Sequence, residues 1–448
     1  MNKYTIYLLT LGCDKNRVDG EVMLGRLIST GAFTPVDEPE EAEVIIVNTC
    51  GFIADATQES INTILELASH KANLDAPCRA LIVTGCMAER YRQETKDAMP
   101  EVDAVLGVKD ADTIVQVVAE ILDHDINWET QDANQSRVAA SPYLHNRHIA
   151  HIKISDGCDN ACTYCTIPSI RGAYTSRPME DILEEATLLI NASARELVLV
   201  AQDTALYGMD IYGQPKLHEL IRAIAALPVK NPPWIRLMYA YPEHITQEII
   251  RAMAEVPTVC KYIDMPIQHS ETEVLRRMGR TGSRQGLKDL IANLRRQIPG
   301  IALRTTLMVG FPGETVEDFR NLYEFVKETR FDRLGVFPYS RESGTPAAVL
   351  PQQTRESTKL SRLERIMDAQ QEIHFAKQKT QVGKTLPVMV DSQTEDGEYI
   401  GRTGGDAYEV DAMVTFSADE KLTQGCVYQV KILDSHEYDL RGEYEPAK

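Results

Sequence analysis

Over residues 1–122, short apolar runs alternate with stretches of helical spacing. Residues 4–11, 43–47, 80–83 and 102–106 are predicted as strands. Residues 18–30, 56–69 and 111–122 are predicted as helices, the second with Ile61, Ile64, Leu65 and Leu67 on roughly one stripe. Strand–helix alternation implies a parallel sheet with crossover connections. Residues 123–147 are polar, with little periodicity, and read as a linker.

A second series starts at residue 150. Strand patterns at 150–155, 197–201, 235–240, 261–265, 303–309 and 333–339 are separated by helical patterns at 178–191, 217–226, 245–255, 285–297 and 316–330. Pro178 fits a helix first turn. Six such units predict a partial (β/α)6 TIM-like barrel, open on one side, with its active residues at the C-terminal strand ends. Residues 354–381 read as a long charged helix. After it come short strands at 386–390, 399–402, 408–413 and 427–433 between Gly, Asp and Glu turns, the pattern of a small β-barrel. The fold class is α/β, with domains at 1–122, 148–380 and 381–448 and the linker at 123–147.

Composition and the terminal pattern add four constraints. No apolar run reaches the 18 or so residues of a membrane span. The first residues enter a strand pattern directly and do not resemble a signal peptide, so a cytoplasmic location is expected. The nine cysteines are an odd number, and in a reducing compartment their clustering favours metal ligation over disulfides. The net charge of −19 argues against a generic nucleic-acid binder and favours a basic partner.

The chemistry centres on Cys158, Cys162 and Cys165, on the loop that leaves the 150–155 strand. Three thiolates there can hold three corners of an iron–sulfur cube, leaving one iron with an open position. A structural zinc site is the alternative; it wants a fourth ligand, which His148 or His151 could supply, although His151 precedes the loop on the strand and would have to fold back. Cys13, Cys50 and Cys86 each follow an apolar strand, at separations of 37 and 36 residues. In a parallel sheet those strand ends share one edge, so a second three-thiolate site is expected. Packing as small buried residues is the alternative, and it is the reading for Cys78, Cys260 and Cys426. Around the barrel mouth the candidate cofactor contacts are Gln202, Asp203, Gln268, His269, Arg304, Gly310, Gly313 and Glu314. Any one of these alone reads as a turn or cap, and His269 as a structural histidine.

The CxxxCxxC spacing resembles the radical S-adenosylmethionine (SAM) superfamily, and Gly310-Phe311-Pro312-Gly313-Glu314 resembles its glycine-rich SAM-contacting segment. The order of cysteine-bearing α/β domain, CxxxCxxC barrel and small β-barrel resembles the methylthiotransferase family, whose tail is called a TRAM domain. Leu11-Gly12-Cys13-Asp14-Lys15-Asn16-Arg17-Val18-Asp19, Asn48-Thr49-Cys50-Gly51-Phe52-Ile53 and Ala201-Gln202-Asp203-Thr204 look like its RimO branch. Asp14 and Gly20 depart from the Pro and Ser of that branch. The resemblance implies a 4Fe–4S cluster on Cys158, Cys162 and Cys165 that cleaves SAM, and an auxiliary 4Fe–4S cluster on Cys13, Cys50 and Cys86. It implies two SAM molecules, one methylating a sulfur and one yielding the radical. The implied substrate is an aspartate β-carbon of small-subunit ribosomal protein S twelve. The alternatives are the tRNA-adenosine branch, MiaB, and an iron–sulfur electron-transfer protein without catalysis. Residues 383–448 carry 6 basic and 14 acidic side chains, a net charge of −8, which disfavours an RNA phosphate backbone.

Overall fold

The computed structural model describes residues 3–73, 75–123, 132–144 and 146–446. Five parallel strands, β1 (Tyr4–Thr10), β2 (Phe33–Pro35), β3 (Val44–Thr49), β4 (Ala80–Gly85) and β5 (Ala104–Val105), form the first sheet in the order β2-β1-β3-β4-β5. Every residue of β3 and β4 is buried. Successive residues enter opposite cores: Val44, Ile46, Ala80 and Ile82 on one face, Ile45, Val47, Leu81 and Val83 on the other. Covering both faces requires an unbroken apolar run instead of an alternating one.

The central sheet contains β6 (Ile149–Lys153), followed by a small antiparallel pair, β7 (Ser155–Asp156) and β8 (Thr175–Ser176). Then come β9 (Glu196–Val200), β10 (Trp234–Leu237), β11 (Val259–Asp264), β12 (Ala302–Val309) and β13 (Arg333–Pro338). The order is β13-β12-β11-β10-β9-β6, all neighbours parallel, with no pairing between β6 and β13. This is the open, six-unit barrel expected from the sequence. The C-terminal strands β14 (Thr385–Gln393), β15 (Tyr399–Thr403), β16 (Val414–Ser417), β17 (Val427–His436) and β18 (Asp439–Tyr444) close a barrel in the order β14-β15-β16-β18-β17. No helix among the described residues is long and apolar enough to cross a membrane.

Three expectations change. The stretch read as a linker at 123–147 contains the helix Ala133–Ala140, capped by Asp132, whose Oδ1 accepts from the Asn134 N–H at 2.8 Å. It lies backbone-close on the helix Asp14–Ser29: a Cβ at Gly25 would stand 1.7 Å from the Ser136 carbonyl oxygen. Arg137 pairs there with Glu21 and with Glu185, tying the N-terminal part to the barrel. Polar anchoring, not an apolar stripe, makes this helix, which is why periodicity missed it. Residues 124–131 of the expected linker lie outside the described residues.

The strand expected at 408–413 is a turn. The Asp411 carboxylate accepts from the Ala407 N–H at 2.9 Å and from the Tyr262 hydroxyl at 2.8 Å, so the segment folds back on itself. Ala407 thereby joins a buried cluster with Val198, Val200 and Tyr262 of the central barrel. The barrel is completed instead by β16 and β18. The edge strand β2 was also missed, being three residues long and ending in proline.

The two barrels meet through buried charge. Glu196 stands between Arg236, 2.6 Å away, and Arg402. Arg402 Nε also lies 3.0 Å from Asp391, which lies 2.8 Å from His148 Nε2.

Candidate active site

The Cys158–Cys165 loop leaves the β6 end and is pinned at several points. At Gly157 φ is +75°, and a Cβ would stand 2.1 Å from the Ala173 carbonyl oxygen, so only glycine fits. The Cys158 N–H donates to Gly172 O at 3.1 Å, the Thr163 N–H to Met278 O at 2.9 Å, and the Ala347 N–H to Thr163 O at 2.8 Å. Asn160 Nδ2 donates to Asp203 Oδ2 at 3.1 Å. The Ile167 N–H points at Cys165 Sγ, 3.4 Å away. Burial pushes the Cys165 thiol up to about 12; that N–H works against the shift, while the neighbouring Cys162 and Cys158 add to it. Such a cost vanishes when a metal holds the thiolate.

Cys13, Cys50 and Cys86 follow the carboxyl ends of β1, β3 and β4, as their spacing implied. A Cβ at Gly12 would lie 2.8 Å from Cys50 Cβ, so the first two loops touch. Cys86 opens the helix Cys86–Arg90 and is buried. Burial raises its thiol to about 11; Arg171 pulls it back, and Cys13 and Cys50 push it further up. The three thiols are thus within electrostatic reach of one another. Among the described residues no three His, Cys, Asp or Glu side chains are gathered for a single metal ion. An iron–sulfur cube makes a different demand, one thiolate per iron, and three neighbouring thiols suit that donor set.

The segments that carry the two cysteine sets meet along a charged seam. Arg171 ends the helix Ile167–Arg171 that follows Cys165. Its Nη2 lies 3.6 Å from Cys86 Sγ and 3.0 Å from Asp19 Oδ2. Its Nη1 lies 3.1 and 3.0 Å from the two Asp156 oxygens. Lys153 pairs with Asp19 and, at 2.8 Å, with Asp156; Gln202 Nε2 donates to Asp156 at 3.0 Å. Asp14, one of the two departures from the RimO-like pattern, takes the Tyr239 hydroxyl at 2.9 Å and lies 3.4 Å from His151. On the far side Glu342 accepts from the Ala54 N–H and from Arg90, both at 2.8 Å, and Thr166 Oγ1 donates to Phe52 O at 3.3 Å.

The rim residues divide. Gln202 faces the seam. Asp203, fully buried, braces the cysteine loop through Asn160 and takes His244 Nδ1 at 2.6 Å. Gln268, at φ +67°, continues pairing onto β12, its N–H donating to Thr306 O at 2.9 Å and its carbonyl accepting from the Met308 N–H at 2.7 Å. His269 is buried and accepts from the Glu271 N–H at 3.0 Å; burial drives it down to about 3, the neutral structural histidine its context suggested. Arg304 is engaged with Asp264 at 3.1 Å and with Asp411 of the C-terminal segment at 3.7 Å. Glu314 turns into its own loop, accepting from the Gly310 and Phe311 N–H groups, and meets Arg362 at 3.0 Å. Burial raises its carboxyl to about 7 against the pull of Arg362. A Cβ at Gly310 would lie 2.3 Å from Lys359 Cγ, and one at Gly313 1.9 Å from Arg277 Nη1.

Sequence reasoning missed Lys153, Asp156 and Arg171. All three flank the cysteine loop, and a cluster of opposite charges around three cysteines was the available signal. It missed Lys15 and Tyr239 as a pair because nothing local joins them.

Family comparisons agree with this architecture. Residues 5–107 match the uncharacterized protein family UPF0004, 152–326 the radical SAM superfamily, and 382–444 the TRAM domain. Among solved structures, the radical S-adenosylmethionine methyltransferase TsrM from Kitasatospora setae shares the fold, with TM-score 0.56 at 15% identity over 78% of this chain and 74% of that one. The cobalamin-dependent S-adenosylmethionine radical enzyme OxsB does so with TM-score 0.51 at 12% identity, over 82% and 56%. Fold and site together define a radical SAM enzyme. The ribosomal protein uS12 methylthiotransferase RimO of Acetivibrio thermocellus is 46% identical over 98% of both chains, and that of Geobacter sulfurreducens 45% identical over 98% of both. The RimO of Desulforamulus reducens is 44% identical over 98% of this chain and 99% of its own. The chain belongs to the RimO family of radical SAM methylthiotransferases.

Proposed function

We propose that this enzyme inserts a methylthio group at the β-carbon of an aspartate of ribosomal protein uS12, in the cytoplasm. It uses two SAM molecules and two 4Fe–4S clusters. Cys158, Cys162 and Cys165 hold one cluster; Cys13, Cys50 and Cys86 hold the other. The observation that carries the reading is the seam in which Arg171, from the barrel loop, reaches Cys86 of the N-terminal sheet. It supports two thiolate sets serving one reaction space. When bound, the cofactors supply the one-electron chemistry and the sulfur that modification of a saturated carbon needs.

The chain's own residues position and shield. The pinned Cys158–Cys165 loop holds its donors in place, and Asp156 with Lys153 and Gln202 lines the seam between the sets. SAM contacts are assigned to the rim of Gln202, Gln268, Arg304, Gly310 and Gly313, with Asp203, Glu314 and the buried His269 acting through the loops they brace. The net charge of −19 suits a basic ribosomal protein as partner.

The test offers anaerobically reconstituted enzyme, with SAM, sulfide and a reductant, either isolated uS12 or unmodified tRNA. A methylthio mass gain on the protein is expected. A gain on tRNA alone would overturn the substrate, and absence of 5′-deoxyadenosine would leave the electron-transfer reading.

A further inference from the structure

Lys15 is the second residue of the helix Asp14–Ser29 and is only 7% exposed. A buried ammonium is costly unless its charge is offset. Its Nζ lies over the ring of Tyr239, 3.2 Å from the centroid, and among the described residues it makes no hydrogen bond and no ion pair. The adjacent carboxylate, Asp14, feels the Lys15 charge but makes no direct pair with it: it accepts from the Tyr239 hydroxyl at 2.9 Å and lies 3.4 Å from His151. Tyr239 is itself held at φ +58°, rare for a bulky side chain and typical of functional sites. The positive end of the helix adds to the ammonium's charge. A ring face offsets part of that charge but accepts no full hydrogen bond to it. The arrangement is built for an anion.

Resting on the proposed function, we propose that Lys15 binds the side-chain carboxylate of the target aspartate. It stands two residues from Cys13, against Tyr239 just past the β10 end at the barrel mouth. The carbon to be modified is bonded directly to that carboxylate. Holding the carboxylate on Lys15 therefore fixes the β-carbon and leaves its C–H bonds free to face the reacting group. The carboxylate of SAM is the other source of the same chemistry. Lys15 belongs to the sheet edge that carries Cys13, however, and not to the loop of Cys158–Cys165 against which SAM is expected.

The test titrates reconstituted holoenzyme with labelled uS12 and with uS12 carrying asparagine in place of the target aspartate, reading fluorescence anisotropy. SAM affinity and iron content are measured beside it. Wild type is expected to prefer the aspartate form by roughly ten- to hundredfold, the worth of a charge-assisted hydrogen bond. Lys15→Met is expected to bind both forms alike with SAM affinity unchanged. Should methionine impair iron loading, Lys15→Arg is expected to keep the preference and Lys15→Gln to lose it. A preference that survives Lys15→Gln overturns the inference, as does a wild type without preference. Loss of SAM affinity instead also overturns it and makes Lys15 a ligand of the SAM carboxylate. Methylthio transfer to tRNA alone would overturn the proposed substrate, a result the binding preference does not share.

Discussion

Arg171 Nη2 lies 3.6 Å from Cys86 Sγ, so a side chain of the barrel's cysteine segment donates to a thiol of the N-terminal sheet. The same guanidinium holds Asp19 and Asp156, and its side chain is only 1% exposed. A buried cation beside a metal-binding thiolate favours the more negative state of whatever that thiolate binds.

Arg171→Met is therefore expected to shift the reduction potential of the cluster on Cys13, Cys50 and Cys86 to more negative values, leaving the other cluster's potential in place. An EPR-monitored redox titration reads both. Removing the guanidinium also leaves Asp19 and Asp156 short of counter-charge, at a cost of about 3–5 kcal/mol in unfolding free energy. Equal shifts in both clusters would make the effect a general loosening.

The two sets are expected to be separable. Replacing Cys13, Cys50 and Cys86 by Ala should cut iron from about eight to about four per chain and stop methylthio transfer while SAM cleavage continues. Replacing Cys158, Cys162 and Cys165 should abolish cleavage. A folded N-terminal triple variant that fails to cleave SAM would refute the division of labour.

Much of this was legible because strand and helix periods are local. The apolar runs at 43–47 and 80–83, alternating with helical stretches, implied a parallel sheet, and Cys13, Cys50 and Cys86 followed their strand ends at one unit's spacing. What stayed hidden depends on partners far away in sequence. Asp411 turns its segment back because Tyr262 is there to receive it, 149 positions away. Arg137 makes a helix worth forming because Glu21 and Glu185 meet it from two domains. The rim residues were read as facing the barrel mouth, yet Asp203, Arg304 and Glu314 are engaged by Asn160, Asp264 and Arg362 on neighbouring segments. A sequence shows that a carboxylate is near a strand end, but not which way it turns.

The buried Glu196 links the C-terminal barrel to pH. Burial alone would raise its carboxyl, but Arg236 and then Arg402 hold it at about 2. The folded value lies below the unfolded one, so the stabilisation is present above pH ~4.5 and is lost as pH falls through 2. At about 1.36 kcal/mol per pKa unit, it amounts to about 3 kcal/mol. Glu196→Gln is expected to lower the neutral-pH melting temperature and to flatten its decline between pH 5 and 2, read by circular dichroism. A variant whose melting follows the wild-type pH curve would place the acid sensitivity elsewhere.

Asp203 offers a test of brace against ligand. Its carboxylate is wholly buried and receives Asn160 Nδ2 at 3.1 Å, the Tyr241 N–H at 3.4 Å and His244 Nδ1 at 2.6 Å, while its carbonyl takes the Tyr174 hydroxyl at 3.1 Å. Hydrogen bonding to Asp203 raises the pKa of His244, against burial, which favours a charge-assisted pair. These partners tie the cysteine loop to the β9 and β10 ends. Asp203→Asn keeps the shape but loses the charge, worth about 1.5–3 kcal/mol in a hydrogen bond of this kind. The loop should then hold its cluster less firmly, so a chelator should strip iron from the barrel set roughly ten- to hundredfold faster. SAM affinity, measured on freshly loaded protein, should be unchanged. The opposite pattern, with iron retained and SAM affinity reduced, would make Asp203 a direct SAM contact and end its role as a brace.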